Sequence, residues 1–173
     1  MSMRHAILGL LDLSPLTGYD VKRHFDATIG HFWTGDQAQI YRTLDRIVAD
    51  GLADVEVVEQ STRPNRRLHR ITAAGRAELD AWLRAPLEDS PVRDAFLARV
   101  FFAGRLDEKA AAALFAERRI AVLTKLDALD ALRRSEPDPR DRAGRLRLAT
   151  LANGISHLRT ELAWLDETEE ALA

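Results

Sequence analysis

The side chains best suited to bind a charged partner are arginines concentrated in one short polar stretch. Residues 60–71 contain four arginines and no acidic residue, although the net charge of the whole chain is −2. Arg63, Asn65, Arg66 and Arg67 lie in this stretch. The chain as a whole is not basic, so we do not expect indiscriminate attraction to nucleic acid. We interpret these side chains as contacts to phosphate or to the minor groove, made by a module that docks in one orientation.

A second set of candidate side chains lies just upstream, on a predicted amphipathic helix. Its apolar stripe recurs at helical spacing, and the opposite face is polar. Glutamine can pair with adenine and arginine with guanine in the major groove, while a tyrosine beside the stripe can offer its hydroxyl to phosphate. The stripe is Ile40, Leu44, Ile47 and Val48; the outer and flanking residues are Ala38, Gln39, Tyr41, Arg42, Thr43, Asp45 and Arg46.

Local signals predict how these two sets are held together. Thr34 and Gln37 have the spacing of a capping box, which predicts the start of a helix. Gly51 marks its end, and we call this helix the recognition helix. A strand over residues 54–59 and its return over 68–71 form a hairpin, which we call the wing. A helix followed by such a wing can place the helix in the major groove and the wing on phosphate, so the pattern predicts double-stranded DNA as partner.

The remaining N-terminal segments complete a winged helix-turn-helix of residues 1–85. We predict a first helix from Met3 to Leu13 and a second to about Thr28, opened by the capping pair Thr17 and Asp20. A fourth helix is predicted over residues 73–84. The expected fold is therefore mainly α: three helices, a β-hairpin wing and a helix, followed by a second, all-α domain.

Prolines mark the boundary, and residues 90–173 are predicted to form a helical dimerisation domain. We expect Ser90 to cap a helix with Pro91 in its first turn, ending near residue 103. Asp107 is predicted to cap a long helix to about residue 134. Pro139 is placed in the first turn of the last helix.

The last helix carries leucines and an isoleucine that alternate by three and four residues, as in a coiled-coil seam. One interpretation is packing inside a single chain, and the other is the interface of a homodimer. We expect the seam to serve both, since readers of duplex DNA usually act in pairs. The seam residues are Leu148, Leu151, Ile155, Leu158, Leu162 and Leu165.

The order and spacing of several short motifs resemble the PadR family of bacterial transcriptional regulators. The matching segments span the chain and include residues 7–11, 17–21, 39–44, 50–52, 63–64, 71–72 and 94–104. The resemblance implies a homodimeric repressor on an inverted-repeat operator, released by a small effector, with Tyr41 contacting the DNA backbone. Members commonly have proline after that tyrosine, whereas this chain has Arg42, which adds a candidate guanine or phosphate contact.

The composition argues against an enzyme or a membrane protein. The chain has no cysteine, and its five histidines are scattered without metal-ligand spacing, so we predict no catalytic residues, no metal and no cofactor. The apolar run at the start is too short for a signal peptide, and no segment approaches the roughly 18 apolar residues of a membrane span. We expect a soluble, cytoplasmic protein.

Two questions stay open at this level. The near-neutral N-terminal half is also compatible with a winged-helix protein-interaction module that does not bind DNA. Trp82 and Trp164 are candidates for an effector pocket between the two domains, because flat aromatic or apolar ligands stack on indole rings. The alternative for both tryptophans is packing in a helical core.

Overall fold

The computed structural model describes residues 3–30, 32–33, 35–58, 66–87 and 94–172. The chain divides into two compact units, Met1–Ser90 and Pro91–Ala173, here called the N-terminal and C-terminal units. Both units are dominated by helices, and the predicted mainly α fold is confirmed. None of the helices in the described ranges is long and apolar enough to cross a membrane.

Four helices of the N-terminal unit enclose one apolar core. They are α1 (Met3–Leu13), α2 (Gly18–Thr28), α3 (Gln37–Ala49) and α4 (Ala73–Arg84). The stripe predicted on α3, the recognition helix, faces inward, because Ile40, Leu44 and Ile47 are buried. These side chains pack in the same cluster as Ile7 and Phe25. Burial of the stripe fixes which face of α3 is left for a partner.

The wing belongs to a three-stranded antiparallel sheet. Its strands are β1 (Leu16–Thr17), β2 (Ala53–Val58) and β3 (Arg66–Ile71), in the order β1-β3-β2. β2 and β3 form the predicted hairpin, with Val55 opposite His69. β3 begins two residues earlier than predicted, so Arg66 and Arg67 lie in the strand, paired with β2, and not in the loop between the strands. β1 was not predicted: it pairs Leu16 with His69 and so ties the start of α2 to the base of the wing.

The recognition helix begins two residues later than the predicted capping box requires. Its N-cap is Asp36, whose carboxylate accepts from the backbone N–H of Ala38 at 2.6 Å. A short acidic side chain at the helix start satisfies otherwise unpaired N–H groups, and its charge also suits the positive end of the helix dipole. Thr34, the predicted cap, lies outside the described residues. The predicted end is confirmed, since Gly51 has a φ of 71°.

The C-terminal unit is helical throughout its described part. It contains α5 (Ala95–Phe102), a 3-10 turn (Ala103–Arg105), α6 (Glu108–Ser135) and α7 (Arg142–Leu172). Ion pairs show that α6 and α7 are antiparallel neighbours: Arg118 pairs with Glu161 at 2.5 Å and Arg159 with Asp130 at 3.4 Å.

Two predicted helix starts in this unit were wrong. The N-cap of α5 is Asp94, which accepts from the N–H groups of residues 96 and 97, while Ser90 and Pro91 lie outside the described residues. Pro139 precedes α7 and is not in its first turn, because the helix begins at Arg142. In both cases an aspartate nearer the helix, Asp94 or Asp141, supplies the acceptor that the first N–H groups need.

Candidate nucleic-acid interface

The solvent-facing side of α3 carries the side chains predicted to read DNA. Within the described part of the chain, Arg42 and Arg46 have no hydrogen bond or ion pair from their side chains. Thr43 is half-buried, and its hydroxyl donates to the carbonyl of Gln39 at 2.8 Å. Its neighbours on this face are all exposed: Ala38, Gln39, Tyr41, Arg42, Asp45 and Arg46. Two unpaired guanidinium groups and a free amide therefore point away from the core on one helical face.

Tyr41 leans against the start of α2. A Cβ atom placed on Gly18 would lie 2.5 Å from the Cε1 atom of Tyr41, so the ring rests where only glycine leaves room. The ring is 38% exposed. This contact places the Tyr41 ring at the edge of the α3 face, against the start of α2.

The arginines of the wing differ in their partners. Arg66 donates to Asp20 at 3.3 Å, and Arg70 pairs across the hairpin with Glu56 at 3.1 Å. Arg67 is the wing arginine with no ion pair among the residues that the structure describes. The predicted contacts Arg63 and Asn65 lie outside the described residues.

The Asp20 carboxylate contacts three side-chain donors at the junction of α2 and the wing. Its Oδ2 atom accepts from the Thr17 hydroxyl at 2.7 Å and from Arg66, and Arg23 lies 3.3 Å from Oδ1. The Thr17 hydroxyl in turn accepts from the Asp20 backbone N–H, and the Asp20 carboxylate accepts from the Thr17 backbone, which together form the predicted capping box. The hydrogen bond from Thr17, with smaller contributions from Arg23 and Arg66, lowers the pKa of the Asp20 carboxyl.

His69 is a buried polar residue at the base of the wing. Its side chain is 4% exposed, and Nδ1 lies 3.2 Å from the carbonyl of Leu16. Burial lowers the pKa of His69, partly offset by its contact with that carbonyl. Because the neutral ring fills the junction between β1 and β3, it supports the sheet that carries the wing.

The two candidate effector tryptophans each pack within their own unit. Trp82 stacks on His5 with ring centroids 4.9 Å apart and planes 4° from parallel. Trp164 meets Phe96 edge-on at 6.2 Å and lies 6.5 Å from Phe115. Both indoles are half-buried. Packing thus accounts for part of each ring, and the effector pocket stays a prediction.

The predicted seam on α7 is partly used within the chain. Leu151, Ile155 and Leu165 are buried in the single protomer, where α7 packs beside α6. The other three seam residues are half-buried: Leu148, Leu158 and Leu162.

Exposed aromatic side chains lie elsewhere in the C-terminal unit. Phe101 is 82% exposed and Phe102 67%. Their rings contact each other edge to face at 5.0 Å. Sequence reasoning missed this surface, because a run of apolar residues on a short helix is equally typical of a core.

The described residues contain no group of three or more histidine, aspartate or glutamate side chains placed to hold a metal ion. Among the described residues, the N-terminal unit presents the unpaired Arg42 and Arg46 and the exposed Gln39 on α3, beside an arginine-bearing hairpin. This arrangement suits the grooves and phosphates of a duplex.

Comparison with known proteins identifies both halves of the chain. Residues 7–81 match the PadR-like transcriptional regulator family, and residues 92–173 match the C-terminal domain of the virulence activator alpha family. A probable transcriptional regulator of Mycobacterium tuberculosis is 33% identical over 189 residues, covering 99% of this chain and 98% of the relative. The chain belongs to the PadR-like family. It is a DNA-binding transcriptional regulator with a winged helix-turn-helix, and its relatives are regulators, not enzymes.

Solved structures of PadR-like proteins share this architecture. Bacillus subtilis PadR in complex with operator DNA superposes with a TM-score of 0.84 at 25% identity, over 98% of each chain. A structure of the same protein with p-coumaric acid has a TM-score of 0.76 at 24% identity, covering 96% of this chain and 95% of that one.

The named roles of these relatives differ. Bacillus subtilis PadR is a negative transcriptional regulator, 30% identical over 118 residues that cover 67% of this chain and 64% of the relative. The Vibrio cholerae virulence activator AphA superposes with a TM-score of 0.76 at 28% identity, over 99% of this chain and 100% of that one. The relatives thus include both a named negative regulator and a named activator.

Proposed function

We propose that this PadR-like protein is a sequence-specific, homodimeric repressor that binds an inverted-repeat operator. The observation that carries the proposal is the outer face of α3, where Gln39, Arg42 and Arg46 are exposed and the two arginines are unpaired among the described residues. Repression is favoured because the Bacillus subtilis relative is named a negative regulator. A regulator of this kind acts where the chromosome is, so we place it in the cytoplasm.

The side chains divide into base readers and phosphate contacts. Gln39 and Arg42 lie on the exposed face of α3 and are assigned to adenine and guanine edges. Arg46 and Thr43 lie further along the same helix and are assigned to the flanking base or phosphate. Tyr41, with Arg67 and the other predicted wing residues Arg63, Asn65 and Arg66, is assigned to the DNA backbone, because a hairpin tip positions a protein more than it specifies a sequence.

Dimerisation is proposed to use the C-terminal unit. An open groove of about 800 Å³ lies between α5, the 3-10 turn and the first half of α6, and Phe102, Leu106 and Leu114 contribute to its apolar lining. Together with the exposed ring of Phe101, this groove forms an apolar surface that a second copy of the chain could cover. The half-buried residues of the α7 seam are proposed to extend the contact between the two copies.

A small aromatic or apolar effector is proposed to release the operator. Trp82 and Trp164 remain the candidate contacts, since each indole is half-buried and retains surface for stacking. The complex of Bacillus subtilis PadR with p-coumaric acid makes aromatic acids the first compounds to test. A ligand that acts as proposed would weaken operator binding and quench tryptophan fluorescence over the same concentration range.

Selection from a random-sequence duplex pool tests the proposal. The wild-type protein should recover duplexes with two matching half-sites about 10 base pairs apart, one turn of the helix. Inserting about five base pairs between the half-sites puts them on opposite faces and should abolish the tight complex. Recovery of a single half-site would contradict the dimeric mode. Absence of salt-dependent binding to any duplex would favour a protein-interaction module instead.

A further inference from the structure

Asp20 is an acidic side chain at the edge of the proposed DNA-binding surface, between α2 and the wing. Its carboxylate is 16% exposed and contacts Thr17, Arg23 and Arg66, as described above. A carboxylate beside phosphate is unfavourable, because like charges repel across a partly desolvated gap. Its presence at this place therefore calls for a compensating role.

The two elements assigned to DNA in the proposed function, the wing and the recognition helix, both contact the start of α2 beside this carboxylate. Thr17 is the last residue of β1, which pairs with β3, the strand that begins with Arg66. Gly18, the next residue, receives the ring of Tyr41 from the recognition helix. A shift of the start of α2 would therefore move Tyr41 and the base of the wing together.

We propose that Asp20 is a positioning residue for sequence discrimination: it holds Arg66 at the start of α2 and so fixes the wing relative to the recognition helix. The inference rests on the proposed DNA-binding function. A guanidinium group has five N–H donors, and among the described residues Arg66 uses one of them, on Asp20, so the others can serve a phosphate oxygen in a fixed direction.

Helix capping alone does not account for this arrangement. The capping box needs the Thr17 hydroxyl and the Asp20 backbone N–H, 3.1 Å apart, and a side-chain acceptor at position 20 for the Thr17 backbone. An uncharged asparagine could serve the side-chain part of the cap equally well. The ionised carboxylate adds the contact with Arg66, 46 residues away in the sequence. The charge of Asp20 thus joins two segments that the cap by itself leaves unconnected.

The test compares Asp20→Asn with Asp26→Asn, a matched change on the same helix. Asp26 pairs only with Lys22, one turn away, among the residues that the structure describes, so its loss removes one negative charge without touching the wing. Affinity is measured for the best duplex selected by the wild-type protein and for a scrambled duplex of the same composition. The readout is the ratio of the two affinities, with thermal unfolding as a check on the fold.

Asp20→Asn is expected to lower this ratio about tenfold, within the range of coupling between contacting residues. The selected duplex should lose affinity, while the scrambled duplex is bound equally or more tightly because a repelling charge is gone. Asp26→Asn should leave the ratio within about twofold, as expected for a site that couples to neither element. Asp20→Glu, which keeps the charge, should recover most of the discrimination.

Arg66→Gln keeps the cap intact and so tests the proposal even if Asp20→Asn disturbs the fold. It should lower the ratio as well, and adding Asp20→Asn to it should cause no further fall. Asp20 has no positioning role if Asp20→Asn, like Asp26→Asn, changes the affinity for the selected and the scrambled duplex by the same factor. The same conclusion follows if the losses of Asp20→Asn and Arg66→Gln add up in the double variant. If the wild-type protein does not prefer its selected duplex, the proposed function itself fails. If the wild-type protein and the Asp20 variant both discriminate equally well, only the positioning role of Asp20 fails.

Discussion

Replacing Gly18 by alanine should weaken DNA binding without altering any residue that contacts DNA. The new Cβ atom would lie 2.5 Å from Cε1 of Tyr41, whereas ordinary contacts begin near 3.4 Å, so the ring must withdraw by about 0.9 Å. The hydroxyl–phosphate hydrogen bond tolerates only about 0.5 Å of variation in length. Its loss costs about 1.5 kcal/mol, the low end for a bond to a charged group, or roughly tenfold in affinity.

Titration of labelled duplexes measures this effect. Gly18→Ala and Tyr41→Phe should each weaken the selected and scrambled duplexes by about the same factor, because a backbone contact carries no sequence information. Gly9→Ala is the matched control, since a Cβ at Gly9 meets nothing within 4 Å and should only stabilise α1 by about 0.5–1 kcal/mol. If Tyr41→Phe weakens binding and Gly18→Ala does not, the ring can be accommodated elsewhere and the argument from Gly18 is refuted.

Three further predictions concern assembly, stability and pH. If the protein is the proposed dimer, Phe101→Glu should convert it to monomer in light scattering, while Val57→Glu on the wing should not; a Phe101 variant that stays dimeric would exclude this surface. Leu165→Ala removes a fully buried side chain of α7 and should lower the free energy of unfolding by about 2–5 kcal/mol in urea titrations; a loss below about 1 kcal/mol would contradict tight packing against α6. Because burial holds the pKa of His69 below 6.5, the unfolded chain binds a proton that the folded chain resists. Stability should therefore be full above about pH 6.5 and fall as the pH drops toward the lowered pKa, and His69→Gln should flatten that decline.

Most helices were predictable because their signals are local. Periodic apolar residues and the Thr17–Asp20 cap located α1, α2 and α4, and the buried stripe of α3 was assigned correctly. The errors fell where several capping residues compete. Thr34 and Ser90 were chosen as caps, whereas Asp36 and Asp94 accept the first N–H groups of their helices. Spacing rules do not rank such neighbours, since the choice depends on where the chain must enter the core.

Long-range contacts were the part that periodicity could not reveal. β1 has two residues and no pattern of its own, and it exists because β3 offers a free edge beside it. The contact of Arg66 with Asp20 depends on that pairing and could not be predicted from local sequence. The sequence therefore predicted only one group of phosphate-binding arginines on the wing. The structure shows that these arginines differ: Arg66 donates to Asp20 on α2, whereas Arg67 has no ion pair among the described residues. Substitution of Arg67 therefore tests phosphate neutralisation without disturbing a contact to α2.

In the proposed binding mode, α3 reads the base sequence while the wing binds the DNA backbone. Binding of wild type, Arg42→Ala, Gln39→Ala and Arg67→Ala to every single-base variant of the selected duplex tests it most directly. Arg42→Ala and Gln39→Ala should each cost about 1–3 kcal/mol and relax preference at one or two base pairs. Arg67→Ala should weaken all sequences uniformly and make the salt dependence shallower by about one unit of slope. A uniform loss from Arg42→Ala together with altered base preference from Arg67→Ala would reverse the assigned roles, and no effect from any of the three would place the DNA-binding surface elsewhere.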